Sequence, residues 1–332
     1  MAVDEFALIR RLTSGRTGAE GPRGERVVVG IGDDAAVVAP TPGKHTVLTV
    51  DAMVEIVDFL PWTMDDESIG WKAMAQNVSD LAAMGAEPRY ALVALAAPKS
   101  FPPERLTQLY SGLYACADAY GVAVVGGDMS TSPERVSVTI TAVGEVEPGR
   151  ALLRSGARPG DAVFVTGPLG LSAAGLDWLL RREPPAAAWA PLVAAHQRPR
   201  PRPEAGRALV GLANALNDVS DGLASEAGEI AEASGARIVL DAAAIPVAPA
   251  LAAYAAFAGR DPLDFILGGG EDYELVGTAA PERAEELLAA LRAAGAEPAI
   301  VGFVEAGEPG AALRRPDGTV EPLGKRGYNH FG

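Results

Sequence analysis

Residues 103–128 read PERLTQLYSGLYACADAYGVAVVGGD. Proline suits the first turn of a helix and glycine its end, so the stretch predicts a helix from Pro103 to Tyr120 closed by Gly121. The apolar run Val122 to Val125 follows at once as a short strand and passes into Gly126-Gly127-Asp128. Toward the N-terminus the alternation continues with a strand from Tyr90 to Ala96. Before it lies a helix from Asp66 to Gly85, with Trp71, Met74, Val78 and Leu81 at helical spacing, then strands Thr46 to Val50 and Val27 to Ile31. Met1 to Thr13 reads as an amphipathic helix capped by Asp4. Toward the C-terminus comes a longer strand, Val136 to Val146. Alternating strands and helices make this half α/β or α+β.

Turn-rich segments, Glu147-Pro148-Gly149-Arg150 and Arg158-Pro159-Gly160-Asp161, place a boundary near residue 150. The expectation is two domains, 1–149 and 150–332, as suits a chain of 332 residues. The second half predicts strand Ala162 to Thr166 and helix Leu171 to Arg182. Glu183 to Pro203, rich in Pro, Ala and Arg, reads as an exposed connector. Helix Asp221 to Ser234, strands Arg237 to Asp241 and Tyr273 to Thr278, helix Pro281 to Ala294 and strand Ile300 to Val304 follow. Asp317-Gly318 predicts a late hairpin.

A hydrophobic share of 48% with 21% charged residues is the balance of a packed globular protein. Apolar runs fall short of the roughly 20 residues of a membrane span, and the first residues lack the basic flank of a signal peptide. With Cys116 alone there is neither a disulfide framework nor a CxxC zinc site, which favours a reducing, cytoplasmic setting. A net charge of −15 argues against a nucleic-acid partner. If so acidic a chain handles phosphates, it needs counter-cations, and carboxylate-bound Mg²⁺ is the usual means. Surplus acid that merely keeps the surface soluble is the simpler account.

Neither GxxxxGK[ST] nor a complete GxGxxG is present, and His45, His196 and His330 sit in no nucleophile motif. What remains is a series of acids at strand ends and glycine turns. Gly32-Asp33-Asp34 sets two carboxylates on a tight turn, though an Asx turn is the commoner reason for such a pair. Thr49-Val50-Asp51 supplies a hydroxyl and a carboxylate. Asp80 lies on the helical face with Gln76 and Asn77, away from the Trp71/Met74/Leu81 stripe, where a solvated face is an equal account. Gly126-Gly127-Asp128 suits close approach of backbone to phosphate. Asn217-Asp218-Val219-Ser220-Asp221-Gly222 packs two acids and a hydroxyl before a helix that Asp221 could simply cap. Gly268-Gly269-Gly270-Glu271-Asp272-Tyr273 sets acids beside a glycine run. Taken together, these turns across both halves point to one site at a domain or subunit interface.

Gly30-Ile31-Gly32-Asp33-Asp34-Ala35, Asn77 to Ala86, Val125 to Asp128, Arg154-Ser155-Gly156-Ala157, Asp218 to Leu223 and Gly269 to Leu275 resemble, in order and spacing, the thiamine-monophosphate kinase family. The likeness runs from about Glu5 to Phe331. It implies the two-domain aminoimidazole ribonucleotide synthetase-like fold, an N-terminal domain that forms a homodimer, and a C-terminal α/β domain. The implied reaction is ATP with thiamine phosphate to give thiamine diphosphate, using several Mg²⁺ ions. Carried over by position, Asp34, Thr49, Asp51, Asp80, Asp128, Asp218 and Asp221 would hold the metals, with Asp80, Asp128 and Asp218 central to catalysis. Gly127, Asp128, Arg154 and Ser220 would meet ATP, and Asp58, Glu271 and Tyr328 would border the thiamine end. A phosphate monoester with its second pKa near 6 is already anionic at pH 7, so no general base is required and direct transfer is expected.

Three positions depart from the family pattern. Val50 replaces a second Ser or Thr, Asp58 stands where a His is usual, and Asn329 where an acid is commoner. A carboxylate at 58 would repel a phosphate but attract the cationic thiazolium. Two other readings stay open. One is a superfamily sibling of the selenophosphate or hydrogenase-maturation type, which would want a reactive terminal cysteine. The other is a noncatalytic nucleotide- or metal-binding relative.

Overall fold

The computed structural model describes residues 5–19 and 24–324. The chain divides into two compact units, residues 1–81 with 87–148, and residues 82–86 with 149–332. A single cut at 149 misses that the short stretch 82–86 groups with the second unit. Ala82 and Ala83 are buried in that unit's core with Leu152 and Leu209.

The first unit runs α1 (Glu5–Leu12), β1 (Val27–Val29), β2 (Val37–Val38), β3 (His45–Val54), α2 (Asp66–Ala83), β4 (Glu87–Ala97), α3 (Pro103–Ala119), β5 (Ala123–Thr131) and β6 (Ser137–Val146). Strands β1 and β2 form a small separate sheet; the main sheet has the order β3-β6-β4-β5. Its β4–β5 pair is parallel and the others antiparallel, as a helical crossover between β4 and β5 requires. One face is closed by a core that joins Met74, Val78, Leu109, Leu113 and Cys116 of the helices to Met53, Val93, Leu95, Val138 and Ile140 of the strands. The other face leaves Leu48, Val50 and Leu92 exposed, at 69%, 59% and 42%.

Two expectations change here. The polar residues of α2 do not form a solvated face: Lys72, Asn77 and Ser79 are fully buried and Gln76 nearly so. Asn77 meets part of the cost by donating from Nδ2 to the Ala73 carbonyl at 3.0 Å. Gly126-Gly127-Asp128 is not a turn beyond a short strand, because β5 continues through it to Thr131. Glycine is needed for approach instead, since a Cβ at Gly127 would lie 2.0 Å from the Val93 carbonyl oxygen of the neighbouring strand.

The second unit runs β7 (Ala162–Val165), α4 (Leu171–Leu180), α5 (Ala190–Gln197), α6 (Pro203–Ala208), β8 (Ala215–Asp218), α7 (Leu223–Ser234), β9 (Arg237–Asp241), α8 (Pro249–Ala258), α9 (Pro262–Gly268), β10 (Leu275–Ala279), α10 (Ala284–Ala293), β11 (Ala299–Glu305), β12 (Gly310–Arg314) and β13 (Val320–Leu323). Seven strands form one sheet in the order β13-β12-β9-β11-β7-β10-β8, in which the β12–β9 pair is parallel. Alternation along β7 sends Val163 and Val165 into the core beneath α7, with Leu223, Ala227 and Ile230. Phe164 points to the opposite core, with Leu216, Leu287 and Leu291. The expected hairpin is present, with Arg315 donating to the Thr319 carbonyl at 2.8 Å across Asp317-Gly318.

The expected connector 183–203 is largely structured. It carries α5, whose Leu192 and His196 are buried, and it ends on Arg202, which is engaged in an ion pair described below. Its proline and arginine content read as solvent-facing because the partners that fix it lie some 70 residues away in sequence.

Candidate functional site

In the first unit, β3 and α2 bring two of the expected metal ligands together: the Thr49 hydroxyl donates to Asp80 Oδ2 in a short contact. Asp51, two residues on, shares the strand face of Thr49. From Lys72 to Ala83 every residue of α2 but Asp80 is buried, so this part of the helix presents that one carboxylate. Asp128 is exposed on β5, in register with Ala94. Its neighbour Met129 packs against the core, so Asp128 projects from the opposite face of the sheet and does not join Thr49 and Asp80 there. Gly127 lies beside it in the strand. Asp34 is exposed on the loop after β1, where its amide donates to Asp33 Oδ1 at 2.9 Å, a bond to the adjacent residue and one short of the span of an Asx turn. Asp58 closes the turn after β3 by accepting from the Val54 amide at 2.7 Å.

In the second unit two loops lie backbone to backbone. Beyond β8 the Val219 amide donates to the Glu274 carbonyl at 2.7 Å, Tyr273 donates to the Val219 carbonyl at 3.0 Å, and Glu271 donates to the Ser220 carbonyl at 2.7 Å. Only glycine fits between them: a Cβ at Gly270 would meet the Ser220 carbonyl oxygen at 2.1 Å. Glu271 and Tyr273 adopt φ of 64° and 53°, left-handed values that strain side chains other than glycine and collect at functional loops. Asp218, Ser220 and Asp221 from one loop and Glu271 from the other are thus gathered at one end of β8 and β10.

Side chains that the sequence did not single out hold these loops. Glu226, in the first turn of α7, accepts from the Asp221 amide at 2.8 Å and from the Ser220 hydroxyl at 3.5 Å. Desolvation pushes its carboxyl up to about 9, and the nearby charges of Asp221 and Asp218 add to the rise. Arg154 donates to Asn217 Oδ1 at 3.1 Å and pairs with Glu229 at 3.2 Å, while Asn217 itself donates to Glu229 at 3.0 Å. At the end of α7, Ser234 Oγ receives the amides of Gly156 and Ala157, each at 3.1 Å, and donates to the Arg154 carbonyl. Both segments of this unit that the sequence reading expects at the nucleotide, 154–157 and 218–222, therefore hang on one helix.

Beneath the second loop, Glu274 receives Arg202 at 2.6–3.1 Å and the Thr166 hydroxyl at 2.6 Å. Glu271 faces the buried His196 at 3.3 Å, and His196 also meets the Ser172 hydroxyl at 3.3 Å. Asp272 accepts from the amides of Gly170 and Ser172 at the start of α4. The two amides favour its charged form, but desolvation outweighs them and, with the charges of Glu274 and Glu271, pushes Asp272 up to about 7. An unfolded Asp titrates near about 3.9. The folded state therefore binds the proton more tightly, and the stability from this group is full below about pH 4 and lost as pH rises through about 7. In metal-free protein the thermal midpoint is expected to fall more steeply from pH 5 to 8 for wild type than for Asp272→Asn. Equal slopes would show Asp272 ionised throughout. Tyr328 and Asn329 lie outside the described residues.

Among the described residues, no three His, Cys, Asp or Glu side chains gather closely enough to hold a metal ion. Mg²⁺ is commonly held by one or two carboxylates with waters and substrate phosphates. The Thr49–Asp80 pair and the Asp218–Asp221 loop are oxygen-only donor sets of that kind. Glu226 Oε2, buried behind Asp221, has no hydrogen-bond partner among the described residues. No helix among the described residues is long and apolar enough to cross a membrane.

Two family models match the chain: AIR synthase related protein, N-terminal domain, over residues 32–146, and AIR synthase related protein, C-terminal domain, over residues 158–313. A thiamine-monophosphate kinase of Bacillus subtilis (strain 168) is 39% identical over 336 residues, covering 99% of this chain and 100% of the relative. The crystal structure of thiamine-monophosphate kinase from Stenotrophomonas maltophilia K279a matches with a TM-score of 0.84 at 34% identity, covering 97% of this chain and 99% of that one. A structure described as AaThiL complexed with AMPPCP and TMP matches with a TM-score of 0.79 at 33% identity, covering 98% and 96%.

Proposed function

This chain belongs to the thiamine-monophosphate kinases of the AIR synthase related family, and from that premise we propose that it makes thiamine diphosphate by one direct, in-line transfer from ATP to thiamine phosphate. It is an ATP-dependent phosphotransferase whose acceptor is itself a phosphate group. The observation that carries this reading is the end-to-end match to such a kinase, 39% identical across 99% of the chain.

The chemistry asks little of the protein beyond placement and charge. The acceptor phosphate is anionic at neutral pH, and phosphoryl transfer proceeds by alignment and electrostatic stabilisation of the spreading charge. In this reading Arg154, oriented by Asn217 and Glu229, faces the nucleotide phosphates, and Ser220 and Gly127 approach them. Glu271, held by His196, borders the thiamine end. Asp58 is committed to the Val54 amide, which favours its being a turn-closing group that points away from the acceptor phosphate. Thr49, Asp51, Asp80, Asp218 and Asp221 would hold Mg²⁺, with Asp34 and Asp128 as further oxygen ligands. When bound, the metal would neutralise charge on the transferring phosphoryl group.

We take the partner of the first unit to be a second copy of this chain. Val50, Thr141 and Leu92 form one row across β3, β6 and β4, and the exposure of Val50 and Leu92 in that row supports a covered sheet face. A cytoplasmic setting agrees with the single, buried Cys116.

Purified protein with ATP, Mg²⁺ and thiamine phosphate is expected to yield thiamine diphosphate and ADP in equal amounts, followed by chromatography. Failure to form thiamine diphosphate would sink the substrate assignment. A phosphorylated protein trapped during turnover would sink direct transfer.

A further inference from the structure

We propose that Glu226 is a positioning residue that sets the Ser220–Asp221 peptide for phosphate and metal, by holding the Asp221 amide from inside the first turn of α7. The inference rests on the reading of Ser220 and Asp221 given above, and deepens it.

Helix α7 begins without a capping side chain. Its N-cap is Gly222, with φ of 111° and no side chain to receive the first amides. Glycine is required there, because a Cβ would sit 2.8 Å from the Leu267 carbonyl oxygen and 2.9 Å from that of Gly269. The close packing of the two loops thus removes the Ser, Thr, Asp or Asn that ordinarily caps a helix. Glu226, the fourth residue of the helix, reaches back past the cap to the residue before it, beyond the span from N3 to N-cap of a capping box, and its Oε1 takes the Asp221 amide at 2.8 Å. A simple cap would leave the carboxyl in water, whereas Glu226 is 2% exposed. A buried carboxyl with acids for neighbours is a costly way to end a helix. It is intelligible where the peptide it fixes must not move. The Asp221 side chain leaves the backbone at the very residue whose amide is held.

Three variants test this. Glu226→Ala removes the acceptor, Glu226→Asp withdraws it by one methylene, and Glu226→Gln keeps a carbonyl oxygen at the original reach. In protein stripped of metal and nucleotide by EDTA, hydrogen exchange at the Asp221 amide is expected to be slow in wild type and Glu226→Gln, and fast in Glu226→Ala and Glu226→Asp. With Mg²⁺ saturating, KM for ATP is expected to rise about 10- to 100-fold in Glu226→Ala, the range found when groups orienting a ligand are removed. Glu226→Gln is expected to restore it to within a few-fold. An unchanged KM in the Ala and Asp variants, or a Gln variant as impaired as Ala, would overturn the positioning role. Should wild type form no thiamine diphosphate, the kinase reading fails while the exchange result still reports on the Glu226 contact. If Glu226→Ala does not fold, Glu226→Asp against Glu226→Gln decides.

Discussion

Asp80→Asn is expected to lower turnover by about 10²- to 10³-fold, the scale measured when one preorganised electrostatic group is removed from an enzyme, while the protein stays folded. The amide preserves the volume of the side chain and an oxygen to receive the Thr49 hydroxyl, so the contact between β3 and α2 survives. Only the negative charge is lost. A structural residue on α2 would tolerate that exchange, since the Thr49 contact needs an acceptor oxygen and no charge. Measurement of kcat beside the thermal midpoint separates the two roles. Retained kcat would show Asp80 to be a helix residue with a strand partner and no more.

The largest effect on stability is expected at Arg202. Arg202→Met should destabilise the second unit by about 3 kcal/mol, the low end of the cost of breaking a buried ion pair, because the Arg202 side chain stays 27% exposed. Glu274 is 5% exposed, and Arg202 meets both of its oxygens, with Thr166 as a third donor. The double variant Arg202→Met with Glu274→Leu should recover much of the loss, because paired removal leaves no charge stranded. Urea unfolding followed by the fluorescence of Trp178 and Trp189, both packed in this unit against Tyr254 and Phe257, reads the difference. A single variant as stable as wild type would mean that the carboxyl of Glu274 is content with Thr166.

The sequence made the helix-and-strand alternation legible wherever apolar period and punctuation agreed, as in α3 with its proline start and glycine end. It failed where partners decide. The polar residues of α2 looked like a wet face because helical period cannot tell water from a second layer of protein. Helix α8, PALAAYAAFA, has too little polarity to show a period at all. Asp218, Ser220, Asp221 and Glu271 were visible in the sequence because glycines flank them, and glycine is spent where backbones must touch. Their supports were not: Arg202 sits among prolines, and Glu226 and Glu229 look like ordinary acids on a surface helix. Their meaning lies in contacts with Glu274, Asp221 and Arg154, which no local pattern encodes.

Helix α7 holds its two loops at three heights: Glu226 near the start, Glu229 one turn on, and Ser234 at the end. A helix is a screw as well as a rod, each residue adding about 1.5 Å and 100°. One residue inserted between Glu226 and Ser234 would swing the far anchor out of reach while leaving helix propensity untouched. The segment is therefore free to vary in the letters of its outer surface but not in its count. Its length, more than its composition, is the quantity that heredity has to copy faithfully.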